Sequence, residues 1–309
     1  MPPSVSRPPR LLSGLLLASA GAIAFSGKAI IVKLAYRYDV DAVTVIMYRM
    51  LFALPMFLLL LWWTSRPVNG KKPVPLRRQD WLGVLGLGVT GYYLASFLDF
   101  WGLEYISASL ERLILYLNPT IVLVLGWLLF KRPIARIQIV AMAVSYAGVL
   151  LVFGHEVGAQ GPHASLGALL VFGSAVSYAL YLIYSGEMVK RLGSLRLVSL
   201  ATTVACVLCL LQFVLLRPLS AADVAPQVLW LSLLNATACT VAPVVMVMMA
   251  IERIGPGLTA QTGMIGPMST ILMGALILGE PLSPSILAGT ALVMAGVFLV
   301  TRLGRAPAK

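Results

Sequence analysis

Five ionisable residues, Lys28, Arg49, Asp99, Glu111 and Arg112, sit inside long apolar stretches of this 309-residue sequence. An ionised side chain at mid-bilayer costs roughly 2.5–3.5 kcal/mol on insertion scales, so such groups persist where they pair or carry a function. Counted from the ends of their apolar runs at 1.5 Å per residue, all five fall about 6–11 Å beneath one surface. They make a single layer with a net charge of +1. Two readings of it stand. In one, the charges neutralise each other and hold their segments together, the cations snorkelling outward. In the other, they line a vestibule and touch an anionic solute or a transferable proton. Neighbours in a helix do not face each other, so Glu111 and Arg112 need different partners. A short turn at Glu104–Ile106 brings the flanking runs together, which predicts an Asp99–Arg112 pair and leaves Glu111 to Arg49 or Lys28.

Two prolines form a second constellation. Pro119 and Pro267 each lie in the middle of an apolar run, where a proline removes one backbone N–H and frees the carbonyl four residues back, at Leu115 and Gly263. In a membrane, a freed carbonyl is tolerated where it lines a cavity or finds another donor. Paired broken helices therefore point to a binding site, although each proline could also be a plain packing kink. Asn118 sets a side-chain amide beside the first break. Tyr178 and Tyr181 share a helix face with Ser174, and Tyr92, Tyr93, Phe97 and Trp101 crowd another run. These aromatics either wall a pocket for a planar or amphipathic solute or anchor the segments at the interface.

The elements that must position these residues are membrane spans. Sixty per cent of the residues are apolar and only 11% charged, against about 45–50% and 25% in soluble domains. Ten apolar runs, at about 11–33, 42–63, 81–103, 107–130, 134–153, 165–186, 195–216, 226–250, 257–278 and 283–301, are long enough to cross a bilayer. The sequence also contains itself twice. Shifted by 148 positions, 13 of the 49 residues from Glu104 to Val152 are identical, including Pro119 on Pro267 and Ala147-Gly148-Val149 on Ala295-Gly296-Val297. Upstream, Gly14 matches Gly167 and Ala22 matches Ala175 at an offset of 153. Five spans per copy is an odd number, so the second copy enters the bilayer upside down. The expected architecture is all-α and integral to the membrane, with ten helices in two inverted five-helix repeats. A cytoplasmic tail (1–10) precedes the first repeat (11–153), and the second repeat (165–303) is followed by another tail (304–309).

Basic residues set the orientation. With both termini cytoplasmic, seventeen Lys and Arg lie inside and three outside, Lys33, Arg37 and Arg217. The formal charge of +12 is thus spread as topology rather than gathered into a nucleic-acid surface. The first run loosely fits a cleaved signal peptide at Ala18-Ser19-Ala20, but its repeat partner must span the membrane, and a span is expected here too. Cys206 and Cys209 have a C-x-x-C spacing inside a span, where thiols fill cores far more often than they bind metal. His155 and His163 fall in a loop. No metal, cofactor or catalytic residue is expected.

The pattern Glu104-x-Ile106-Ser107, then Asn118-Pro119, then Lys131-Arg132-Pro133, with its twin from Glu252 to Leu278-Gly279-Glu280-Pro281, resembles the EamA-like branch of the drug/metabolite transporter superfamily. Tyr48-Arg49 with Phe52-Ala53 is similar to that family's Arg-x-x-x-Ala signature, and the resemblance spans roughly residues 11 to 303. It implies a ten-helix secondary transporter, usually an exporter of amino acids or small metabolites. There are two departures. The Gly-Glu turn of the second half is Lys131-Arg132 in the first, and Glu111-Arg112 stand where the family usually has small apolar residues. The expected partners are a small-molecule substrate, a proton as candidate co-substrate and the lipid of a bacterial inner (plasma) membrane. The oligomeric state is left open. A multidrug or other small-solute permease is the alternative within transport. A polytopic lipid-modifying enzyme is the alternative outside it, and the spans lack the His, paired Asp or metal-ligand clusters that such an enzyme needs.

Overall fold

Helices account for all the regular structure among residues 11–67, 74–131, 133–161 and 163–303, which the computed structural model describes. They are α1 (Leu11–Tyr36), α2 (Ala42–Thr64), α3 (Arg78–Leu103), α4 (Ala108–Leu115), α5 (Asn118–Phe130), α6 (Arg136–Gln160), α7 (Ala164–Leu192), α8 (Ser194–Leu216), α9 (Pro226–Ala236), α10 (Ala242–Thr262), α11 (Ile265–Met273) and α12 (Pro284–Leu303). Eight helical stretches are long and apolar enough to cross a membrane, and Ile265–Leu278 and Pro284–Leu299 are shorter apolar helices. The tails at 1–10 and 304–309, and Arg132, lie outside the described residues.

Large apolar side chains face outward all around the molecule, among them Leu59, Leu82, Leu169, Leu215, Trp230 and Leu276. Water would not tolerate so much exposed apolar surface; hydrocarbon does. The interior is close-packed around Met50, Phe57, Phe100, Leu110 and Leu113.

The helix breaks follow from the prolines. Between α4 and α5 the chain leaves the helix at Tyr116-Leu117, and between α10 and α11 at Gly263-Met264, each just ahead of its proline. One difference from the sequence reading is that residues 251–256, expected as a turn, lie within α10. The interruption falls instead where Pro267 withholds an N–H from Gly263. Of three π-helical turns among the described residues, Val89–Leu94 in α3 and Thr237–Val241 between α9 and α10 start at positions related by the 148-residue offset, and the third, Gly274–Leu278, follows α11. Periodicity alone does not reveal them.

Packing between the repeats is reciprocal. A Cβ on Gly167 would stand 2.9 Å from Ile106, and one on Gly14 would strike Ile254; the repeat registers convert one pair into the other. Likewise a Cβ on Gly148 would lie 2.6 Å from the Gly289 carbonyl, and one on Gly296 2.5 Å from that of Ala141. Contacts in which i meets j′ and i′ meets j are the signature of a two-fold relation. At Gly148 and Gly296 glycine is needed because backbones touch there, as in close-packed membrane helices.

Candidate functional site

Four helices carry the charged layer: α1 holds Lys28, α2 Arg49, α3 Asp99, and α4 both Glu111 and Arg112. Ser107 caps α4, its Oγ accepting from the Leu110 N–H at 3.0 Å, and α4 then carries Glu111 and Arg112 inward. From α1, Lys28 Nζ reaches Asp99 Oδ2 of α3 at 2.5 Å and Glu111 Oε1 at 3.7 Å. Asp99 is 1% exposed and Glu111 is fully buried. One ammonium thus serves two carboxyls. Asp99 Oδ1 and both Glu111 oxygens have no hydrogen-bond partner among the described residues.

The expected Asp99–Arg112 pair is not formed. Asp99 takes Lys28, while the Arg112 guanidinium donates to Ser26 Oγ at 3.0 Å. Ser26 is two residues from Lys28 on α1, so α1 collects both charged residues' partners. Ser26 Oγ also lies 2.8 Å from the Gly266 carbonyl, which ties Arg112 to the start of α11. Glu111 does fall to Lys28, one of its two expected partners. Arg49 donates to Ser96 Oγ at 2.9 Å, and its guanidinium lies 4.6 Å from the centroid of the Phe100 ring. It is buried and, among the described residues, meets no carboxylate within ion-pair distance.

Both freed carbonyls are recaptured. Asn118 Nδ2 donates to Leu115 O at 2.9 Å, and the Tyr116 hydroxyl donates to Gly263 O at 3.1 Å. The second bond crosses between repeats and joins the break before Pro119 to the one before Pro267. Tyr178 and Tyr181 stand apart from the charged layer. They stack on each other with centroids 5.5 Å apart, and Tyr181 meets Tyr92 edge-on at 5.2 Å. Their cluster includes Leu76, Leu192 and Leu197, towards the end of the molecule that is rich in basic residues. At the 153-residue offset Tyr181 is the counterpart of Lys28, so the second repeat places an aromatic cluster where the first places ions.

At the basic-poor end, a cavity of about 360 Å³ is lined by Lys33, Tyr36, Arg37, Glu104, Ser107, Leu278 and Glu280. Glu104 accepts from the Ala42 N–H at 2.9 Å and so helps to cap α2. Partial desolvation raises its pKa, and the Ala42 N–H opposes that shift. Among the described residues no group of three or more His, Cys, Asp or Glu could hold a metal ion.

Comparison with known proteins decides the family. The EamA-like transporter family matches residues 12–154 and again 165–302. The chain belongs to that family. It is 31% identical over 279 residues, 87% of this chain and 86% of the relative, to "Uncharacterized transporter YcbK" of Bacillus subtilis (strain 168). It is 27% identical over 206 residues, 66% of this chain and 67% of the relative, to "Uncharacterized transporter YvbV" of the same organism. A crystal structure covering 95% of this chain and 98% of its own superposes with a TM-score of 0.61 at 16% identity. At that identity the likeness extends to the fold alone. As an EamA-like transporter, the protein is integral to the membrane.

Among the residues that hold this arrangement, Ser26, Tyr116 and Glu280 escaped the sequence reading. Ser26 and Tyr116 are uncharged, and nothing in their neighbourhood marks them until the helices are in contact. Glu280 was visible as part of the Gly279-Glu280-Pro281 turn, but its target lies in the other repeat. Its carboxylate accepts from the Ala108 N–H at 2.7 Å, the Ser109 N–H at 3.2 Å and the Ser109 hydroxyl at 2.6 Å.

Proposed function

We propose that this protein is a secondary transporter that moves a small metabolite, an amino acid or related compound, across a bacterial inner (plasma) membrane by alternating access. Ten spans in two inverted repeats are the architecture assumed, with both termini cytoplasmic and export as the direction, as the family resemblance implies. The observation that carries the reading is the buried set Lys28–Asp99–Glu111, which adjoins two broken helices. Within this set two carboxyls stand against one ammonium, and one proton on Glu111 balances the three, while Arg49 and Arg112 keep the wider layer positive. Arg112 lies beside this set with Ser26 as its partner, and its guanidinium is the anchor for a solute carboxylate. Glu111 and Arg112 share one helical turn, so occupying one alters the field at the other. That is the physical basis for coupling proton to solute.

The half-helices supply the moving part. α4 and α11 each end or begin at a proline break, where a bend does not have to break a continuous ladder of hydrogen bonds. Broken helices meeting near the membrane midplane are the usual setting of a transporter's site. Reconstitution tests the reading. Proteoliposomes loaded with a panel of amino acids and small metabolites should show counterflow of at least one labelled member, lost in Arg112→Gln and retained in part by Arg112→Lys. A panel in which Arg112→Gln transports as well as the parent would overturn the role given to this site.

A further inference from the structure

Glu280 makes a contact that the transport reading has not used. Its carboxylate crosses from the second repeat to the first and takes both N–H groups at the start of α4, together with the Ser109 hydroxyl. An anion at a helix N-terminus is favoured by the free N–H groups and the helix dipole, and its bonds are charge-assisted. The turn that presents Glu280 is shaped for this. Gly279 takes a left-handed conformation at φ 75°, and the Glu280 N–H closes the turn on the Gly274 carbonyl at 3.1 Å. A Cβ at Gly274 would lie 2.8 Å from Glu280 Oε2. A second tie comes from α1, where Arg37 donates to Leu278 O at 3.1 Å.

What Glu280 holds is the first turn of α4, and Glu111 and Arg112 sit on the next few residues. Fixing Ala108 and Ser109 therefore fixes the register of Glu111 against Lys28 and of Arg112 against Ser26. The repeat makes the arrangement one-sided. Moved by 148 positions, Glu280 becomes Arg132, and Ala108 becomes Pro256, which has no N–H to donate. The corresponding place at the basic-rich end thus lacks both the acceptor charge and one donor.

We propose that Glu280 is a positioning residue that latches the start of α4 to the turn that follows α11 at the basic-poor face. It keeps Glu111 and Arg112 in register with their partners, and its release opens that face and not the other. The proposal rests on the alternating-access reading, but its test needs no substrate. Ala29 is buried in the same apolar cluster as Ala108, with Met273 and Leu278 packed against it. A cysteine there, in the full-length protein in membrane vesicles, reports access through the latch to a membrane-impermeant maleimide. Labelling of the parent, whose Cys206, Cys209 and Cys239 are buried, is subtracted.

Glu280→Gln should speed labelling from the basic-poor face about tenfold, and Ser109→Ala, which removes one arm of the latch from the other repeat, by a smaller factor. From the opposite face both rates should stay at the parent's. Unchanged rates in both variants would overturn the latch. Equal acceleration from both faces would also overturn it, since that is general loosening of the helix. If Glu280→Gln does not insert, Ser109→Ala decides alone. Failure of every solute to be transported would remove the function proposed above and leave this labelling pattern standing, so the two failures are distinguishable.

Discussion

Lys28 carries one positive charge for two buried carboxyls, and that ratio governs how substitutions in the layer should behave. Lys28→Met strands Asp99 and Glu111 together and should cost about 3–5 kcal/mol, the range for breaking a buried pair. Asp99→Asn leaves Lys28 with Glu111 3.7 Å away, so its cost should be clearly smaller. Thermal unfolding of the two variants in detergent checks the order, and equal losses would contradict the shared-ammonium geometry. That Lys28, Asp99 and Glu111 fall at one level was legible from sequence because rise per residue is fixed. Their pairing was not, because it depends on how each helix is rotated about its axis. Ser26 shows why: it captures Arg112, and no charge count would have singled out a serine.

At the level of helices, the breaks were legible and their repair was only half so. A proline in an apolar run names the carbonyl it frees, and Leu115 and Gly263 are the two that side chains recapture. Asn118 was in view as a neighbour of the first break, but the reach of Tyr116 across to Gly263 depends on tertiary packing. Tyr116→Phe keeps the ring and removes the donor, leaving Gly263 O without its side-chain bond. Gly263 O keeps the Gly266 N–H at 3.0 Å, so a loss of about 0.5–1.5 kcal/mol is expected, read as a lower unfolding temperature; an unchanged temperature would show that the bond contributes nothing. The π turns at Val89–Leu94 and Thr237–Val241 left no mark in the sequence pattern, since one extra residue per turn barely disturbs an all-apolar run. Close approach is testable by contrast. Gly148→Ala meets a carbonyl at 2.6 Å and should cost about 1–3 kcal/mol through overpacking. Gly86→Ala meets nothing within 4 Å and should gain up to about 1 kcal/mol in helix propensity.

Over the whole molecule, the duplication was the most readable property, because identical residues at one offset need no structural knowledge to find. The reciprocal contacts of Gly14 with Ile254 and Gly167 with Ile106 add what sequence alone could not, namely that the copies pack through equivalent surfaces. The orientation argument from basic residues predicts that a reporter fused after Lys309 is active only in the cytoplasm; activity confined to the far side would reverse the topology. The central claim is that Glu111 carries the coupling proton in an alternating-access transporter. The direct test is solute flux in proteoliposomes across imposed pH gradients, with the parent protein beside Glu111→Gln. The parent's flux should follow the gradient, and Glu111→Gln should still exchange solute while ignoring it. A Glu111→Gln protein that responds to the gradient as the parent does, at every pH, would contradict the account and reduce the charged layer to a structural tie.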